Sequence, residues 1–217
     1  MTPITPDFVW KMEDVLDLYE EDYDAKKPVV SLDERPCQLI EDIYSPVPPQ
    51  SGRTKRYDYE YKRNGTCCLF VAFEPLQQFR YTEVRERRTA MDYAEILKHL
   101  ADEVYPEAEV IRLVQDNLNT HTPASLYKRF EPEEARRLVQ KFEFHYTPKH
   151  ASWLNIVEIE LSVLSRQCLH RRIDSQEKLT TEVQAWAKNR NAKKKGVNWC
   201  FTTKDARRKL ERYYQKN

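Results

Sequence analysis

No apolar stretch of this chain approaches the roughly 20 residues needed to cross a bilayer, and the opening MTPITPDFVWKMEDVL lacks the basic-then-apolar pattern of a secretory signal. These absences predict a cytoplasmic protein. The five cysteines (Cys37, Cys67, Cys68, Cys168 and Cys200) are odd in number and include no C-x-x-C pair, so neither a disulfide framework nor a cysteine zinc site is expected. Three of them sit in apolar segments, as reduced and buried thiols do. No internal repeat is present. A large excess of one charge is missing too: charged residues make up 33% of the chain, yet the net charge is only +1. Its distribution is more informative, because residues 1–27 carry three Lys against eight Asp or Glu, whereas residues 186–217 carry eleven basic residues against two acidic ones. The C-terminus is thus a candidate polyanion contact, with Lys193, Lys194 and Lys195 at its centre.

What is present suffices for one sizeable domain with accessory elements: 217 residues, 40% of them hydrophobic. Phe8, Met12, Val15 and Tyr19 recur at helical steps, which predicts an amphipathic helix over 6–22 that docks on the main body, followed by a linker to residue 27. PVVSLDE (28–34), bounded by Pro28 and Pro36, reads as a short core strand ending near Asp33. Residues 41–65 break every regular pattern and predict a long exposed loop or hairpin extension. There Arg53, Lys55, Arg56, Lys62 and Arg63 interleave with Tyr57, Tyr59 and Tyr61. Such a segment can hold phosphates and stack on sugars or bases, or it can be a solvated hairpin whose charges pair with Asp58 and Glu60.

TCCLFVAFEP (66–75) is a continuous apolar run, expected of a strand buried on both faces, and QQFRYTEV (77–84) alternates Phe79 and Tyr81 with polar neighbours. A helix over 89–103, a strand at 110–115, a helical stretch at 123–139 interrupted by Pro132, a strand at 141–146 and a helix from about Ser152 to Arg171 follow. Three consecutive strands suit antiparallel pairing, and strands separated by helices suit parallel addition. The expected α/β fold is a mixed five-stranded sheet flanked by helices, a succession that matches the ribonuclease H-like fold.

Asp33 and Asp116 each fall at the end of a predicted core strand, where ligand crevices form in open sheets. Two facing carboxylates favour either a shared proton or a cation, and oxygen ligands suit Mg²⁺ or Mn²⁺. On the last helix, at about 100° per residue, Leu154, Val157, Leu161, Leu164 and Cys168 form the buried stripe. Glu158 and Glu160 lie on opposite flanks of it, and geometry leaves the two tied.

QDNLNTH followed by HYTPKHASWLNIVEIELSVLSRQCL, with PVVSLDE before them, resembles the three signature blocks of bacterial insertion-sequence transposases of the mariner-type superfamily. YKRNGTCCLFVAFEP and VNWCFTTKDARRKLERYY extend the resemblance over almost the whole chain. It implies that Asp33, Asp116 of the D-N motif and Glu158 of the L-N-x-x-E motif are catalytic and hold two Mg²⁺ or Mn²⁺ ions. The activity it implies is hydrolysis of phosphodiesters in double-stranded DNA followed by strand transfer, by a homodimer or higher oligomer near the bacterial nucleoid. Asn117, His121, His150 and Trp153 match other motif positions. Asn117 and His121 are expected to orient ligands or touch phosphate, Lys149 and His150 to lie along the DNA, and Trp153 to pack the turn. For His121 and His150 a structural role is favoured over metal ligation, because Mg²⁺ prefers oxygen.

The implied organisation is an acidic helix and linker (1–27), a catalytic domain (28–180) and a basic helical tail (181–217). Family members usually begin with helix-turn-helix modules, whereas this chain opens on the segment that follows them, so recognition of specific DNA ends is expected to lie outside this polypeptide. That opening also suits an alternative function, a catalytically idle DNA-binding or regulatory remnant. A hydrolase of RNA–DNA hybrids fits the fold but not the motifs.

Overall fold

The computed structural model describes residues 5–44, 51–52, 54 and 58–214. Arg53, Lys55, Arg56 and Tyr57 therefore lie outside the described residues.

The five strands are β1 (Val29–Asp42), β2 (Tyr61–Glu74), β3 (Phe79–Arg85), β4 (Ile111–Gln115) and β5 (Phe142–Tyr146), and they lie side by side in the order β3-β2-β1-β4-β5. The first three pair antiparallel, and β4 and β5 add in parallel on the other side of β1. This is the mixed sheet expected from the succession of periodicities. Between β3 and β4 lies α2 (Ala90–His99), continued by a wider helical turn at Leu100–Val104, and between β4 and β5 lie α3 (Ala124–Arg129) and α4 (Pro132–Lys141). Pro132 opens α4, a first-turn position where its missing N–H costs nothing.

Side chains alternate across a strand, so each strand serves two cores. On β2, Cys67, Leu69, Val71 and Phe73 join the cluster with α1 (Pro6–Glu20), α5 (Val157–Gln167) and α6 (Gln176–Ala192), while Cys68, Phe70 and Ala72 join the cluster with α2, α3 and α4. Two covered faces are the reason that segment reads as an unbroken apolar run. The N-terminal helix does dock: Met12, Val15, Leu16, Leu18 and Tyr19 are buried, and Thr5 caps its first turn. Its acidic outer face meets α7 (Thr203–Lys209) and α8 (Glu211–Tyr214) through Arg207 and Tyr214, which both bind Glu13. The cysteines are all free, and Cys67, Cys68 and Cys168 are buried.

Two expectations need correction. The first strand does not end near Asp33 but runs to Asp42, through Pro36. Only Val29 to Ser31 have β4 alongside, so from Leu32 onward one side of β1 has no strand ladder, and a proline fits there without removing a bond. On β3 the inward residues are Arg80 and Thr82 rather than Phe79 and Tyr81. α6 runs unbroken across residue 180, and near its basic end Arg190 binds Glu160.

Candidate active site

Alternation on β1 decides which way its acidic residues point. Ser31 and Asp33 share the face turned toward α1 and α5, and Glu34 shares the opposite face with Leu32, toward α2. β4 lies beside the start of β1 in parallel, so the residue after its last position, Asp116, emerges at the same end of the sheet as Asp33. α5 then brings Glu158 within electrostatic reach. The Asp33 carboxyl is pushed up to about 7, chiefly by burial and further by the charges of Glu158, Glu34 and Asp116, against a bond from the Glu34 backbone N–H.

The D-N-L-N-T-H stretch is a compact turn built around Asp116. Its Oδ1 accepts from the Leu118 backbone N–H at 3.1 Å and meets His121 Nδ1 at 2.6 Å. The other ring nitrogen of His121 lies 3.0 Å from Glu34 Oε2, an ion pair without good hydrogen-bond alignment. His121 is 1% exposed and rests against the Tyr93 ring at 4.8 Å between centroids. Burial alone would lower its pKa, but Asp116 and Glu34 on either side raise it to about 9, so the ring is an internal cation at neutral pH. Burial likewise pushes Asp116 up, and its bond to His121 outweighs this and holds it below the ordinary carboxylate value. The expected structural role of His121 thus takes a specific form, a buried imidazolium between two acids. The turn is braced by Tyr93 on Gln115 (2.7 Å), Gln115 on the His121 carbonyl (3.0 Å) and Asn117 on the Thr147 carbonyl (3.0 Å).

Glu158 and Glu160, tied by periodicity, separate completely once the sheet is in place. Glu160 is fully buried, 3.0 Å from Arg80 Nε on β3 and 2.8 Å from Arg190 on α6. Glu158 turns to the other flank, where Asp33 lies. Arg80 was invisible from the sequence because its partners Glu160 and Asn191 are 80 and 111 positions away. Glu34, Gln115 and Arg88, which reaches Glu34 at 3.5 Å, were missed as well; the alternation in SLDE was the one available signal for Glu34.

An open cleft beside Asp116 is lined by Asn117, Leu118, Thr147, Pro148, Lys149, His150 and Ser152. Lys149 and His150 are exposed on it, and His150 takes a left-handed backbone conformation with φ of 64°. Trp153 does not pack inside the turn: it is 48% exposed, with its edge against Phe201. Lys62 and Arg63 are not part of this site. Lys62 pairs with Glu41 at 3.2 Å, eight residues along β1 from Asp33, roughly 26 Å at strand rise. Asp58 and Glu60 do not pair with these bases; their carbonyls are held by Arg172 instead. Lys193, Lys194 and Lys195 are exposed beyond the end of α6, where the Lys195 carbonyl binds Arg80.

The donor set of Asp33, Asp116 and Glu158 is all oxygen, and among the described residues Asp33 takes part in no ion pair, which suits a hard divalent cation. Among the described residues no group of three or more His, Cys, Asp or Glu side chains stands close enough together to hold a metal ion as it is.

An acidic cluster at one end of the central strands of a β3-β2-β1-β4-β5 sheet is the arrangement of a ribonuclease H-like fold. The family described as DDE superfamily endonuclease matches residues 28–180. The chain therefore belongs to the DDE superfamily endonucleases. No curated protein matches the sequence significantly. Among solved structures, it is similar to the Mos1 strand transfer complex (17% identity, TM-score 0.56, covering 95% of this chain and 58% of the other). It is likewise similar to a pre-cleavage Mos1 transpososome (14%, TM-score 0.59, 96% and 62%) and to the Mos1 mariner paired end complex with Mn (18%, TM-score 0.54, 94% and 59%). At such identities the likeness is one of fold, and the chain spans about three fifths of the length of these relatives. Among the described residues no helix is long and apolar enough to cross a membrane.

Proposed function

We propose that this chain is the catalytic part of a DNA transposase, which cuts phosphodiesters at the ends of a mobile element and joins them to target DNA. The observation that carries this reading is the concentration of acid around Asp33, a half-buried carboxyl raised to about 7 with the charges of Glu158, Glu34 and Asp116 close by. Structural interiors avoid such unpaired charge, and functional sites collect it.

On this reading Asp33, Asp116 and Glu158 hold Mg²⁺ or Mn²⁺, two ions in the working complex. When bound, the ions activate the attacking oxygen and stabilise the leaving oxygen of an in-line displacement. The protein supplies position. Asp116 has one oxygen engaged by His121 and Leu118, which leaves the other oriented outward. His121 lies between Asp116 and Glu34 and its bond holds Asp116 below the ordinary carboxylate value. Lys149 and His150 face the cleft as phosphate contacts, with Asn117 beside them. Lys62, Arg63 and Lys193 to Lys195 form outer patches suited to double-stranded DNA farther along the duplex, in a homodimer or higher assembly. The Mos1 structures named above include strand-transfer and paired-end complexes, one with Mn, which supports DNA and divalent metal as partners.

Nicking of supercoiled DNA in Mn²⁺ or Mg²⁺ tests the proposal. Wild type is expected to nick and Asp116→Asn to lose at least about 100-fold in rate, the usual scale for a metal ligand that acts in the transition state. Equal rates would remove the catalytic assignment and leave the idle DNA-binding remnant as the better account.

A further inference from the structure

The start of α5 is fastened to β1 by side chains that the chemistry itself does not use. Asn155, 1% exposed, donates from Nδ2 to the Leu32 carbonyl at 3.0 Å, and Leu32 is the residue immediately before Asp33. The same Asn155, through its own carbonyl, accepts the Glu158 backbone N–H at 3.0 Å. One residue thus bonds to the strand next to the first carboxylate and to the helix turn that carries the third. The bond to Glu158 is a backbone one of the kind found in a helix's first turn, and the amide of Asn155 is what adds the link to β1.

Tyr19 adds a second fastening, from a helix outside the family's matched residues. Its hydroxyl donates to the Leu154 carbonyl at 3.0 Å, accepts the Ile156 N–H at 3.2 Å and meets Ser31 Oγ at 3.1 Å. Leu154 and Ile156 flank Asn155, and Ser31 lies two residues before Asp33 on the same face of β1. Tyr19 is buried, and its ring packs on Trp199 at 5.2 Å, so the hydroxyl has no solvent to turn to. Leu154 to Ile156 lie between a short helical turn at Ser152–Leu154 and the first residue of α5. Short internal bonds hold the N–H groups of Leu154 and Asn155 and the carbonyls of Asn155 and Ile156, whereas the Leu154 carbonyl and the Ile156 N–H take Tyr19 as partner.

We infer that Tyr19 and Asn155 are positioning residues, which set the junction into α5 against β1 so that Glu158 is presented to Asp33. The inference rests on the proposed role of those carboxylates. It assigns α1 a task in catalysis beyond covering the core, since loss of the Tyr19 hydroxyl leaves the junction held on one side only. Neither residue touches the reacting atoms, and both act through the distance between two that do.

The experiment compares wild type, Tyr19→Phe, Asn155→Ala, Asp116→Asn and a control, Tyr105→Phe, for Mn²⁺-dependent nicking well below the lowest melting temperature. Tyr105 is a partly buried tyrosine just after the Leu100–Val104 turn, near Glu74 at the end of β2. Tyr19→Phe keeps the volume of the side chain and serves where Asn155→Ala folds poorly. Both hub variants are expected to lose about 10- to 100-fold in kcat, as for residues that orient ligands from behind, with a higher Mn²⁺ concentration for half-maximal rate. KM for DNA should stay within about twofold, because uniform binding is untouched. Tyr105→Phe should match their loss of stability and keep wild-type kinetics. Unchanged kcat and Mn²⁺ dependence in Tyr19→Phe and Asn155→Ala, with Asp116→Asn inactive, overturns the positioning role alone. An equal fall in kcat for Tyr105→Phe overturns it too, as a mere effect of instability. Equal nicking by wild type and Asp116→Asn overturns the proposed function and this inference together.

Discussion

Replacing Glu160 with Gln separates the structural glutamate of α5 from its neighbour. Glu160 is fully buried between Arg80, also fully buried, and Arg190. The substitution preserves shape and removes the one anion that faces two guanidinium groups. Breaking a buried ion pair from one side costs about 3–5 kcal/mol, because the remaining charge loses its compensation. Arg80 keeps Asn191 Oδ1 at 2.9 Å and the Lys195 carbonyl, and its guanidinium lies over the Phe73 and Trp186 rings. Arg190 can move toward water. The lower end of the range therefore applies, about 3 kcal/mol, or a fall of roughly 6–12 °C in Tm for a chain of this size. Calorimetry and urea unfolding of Glu160→Gln, Glu158→Gln and the paired Arg80→Met/Glu160→Met variant make the test. Glu158→Gln should be as stable as wild type or more so, since it relieves repulsion on Asp33, and it should lose nicking. The paired variant should recover most of the stability lost in Glu160→Gln, because replacing both partners avoids the unpaired charge. A Glu160→Gln protein within about 0.5 kcal/mol of wild type, the ordinary scatter of surface changes, would refute the reasoning.

Glu74 gives a pH test away from the site. Burial pushes its carboxyl up to about 7 against a hydrogen bond from Tyr105. A raised acid favours the protonated folded state, so its contribution to stability is full below the ordinary value near 4.5 and is lost as pH rises through about 7. Urea midpoints at pH 5 and pH 8 should differ less in Glu74→Gln than in wild type, and an unchanged difference would count against the burial argument. For DNA binding, Lys193, Lys194 and Lys195 replaced together by Ala should make the log K against log salt slope shallower by up to about 3, at roughly 0.9 per phosphate contact. An unchanged slope in fluorescence anisotropy would place the duplex elsewhere.

Much of the fold was legible because burial is written locally. Alternation and helical spacing yielded five strands in a mixed sheet, and β2 announced its two covered faces through an unbroken apolar run. Asp33 and Asp116 stood out for the same reason, each following a short β-branched segment. The site was less legible wherever a residue's role depends on a partner far along the chain. His121 reads as one more polar residue in a turn until Glu34, 87 positions earlier, is found on its other side. Arg80 reads as exposed on an alternating strand until Glu160 and Asn191 cover it.

The pair on α5 marks the division most clearly. The sequence by itself determined that Leu154, Val157, Leu161, Leu164 and Cys168 face inward, because a helix repeats every 3.6 residues and those positions share one stripe. It could not rank Glu158 against Glu160 on geometry, since both sit at equal angles from that stripe and differ only in side. Tertiary structure decided between them by what it laid over each flank. On one side lie Arg80 of β3 and Arg190 of α6, where a carboxylate is neutralised and buried; on the other is β1 with Asp33, where one carboxylate meets another. The chemical difference between the two residues lies wholly in those neighbours, and neighbours across a sheet are set by the order of its strands.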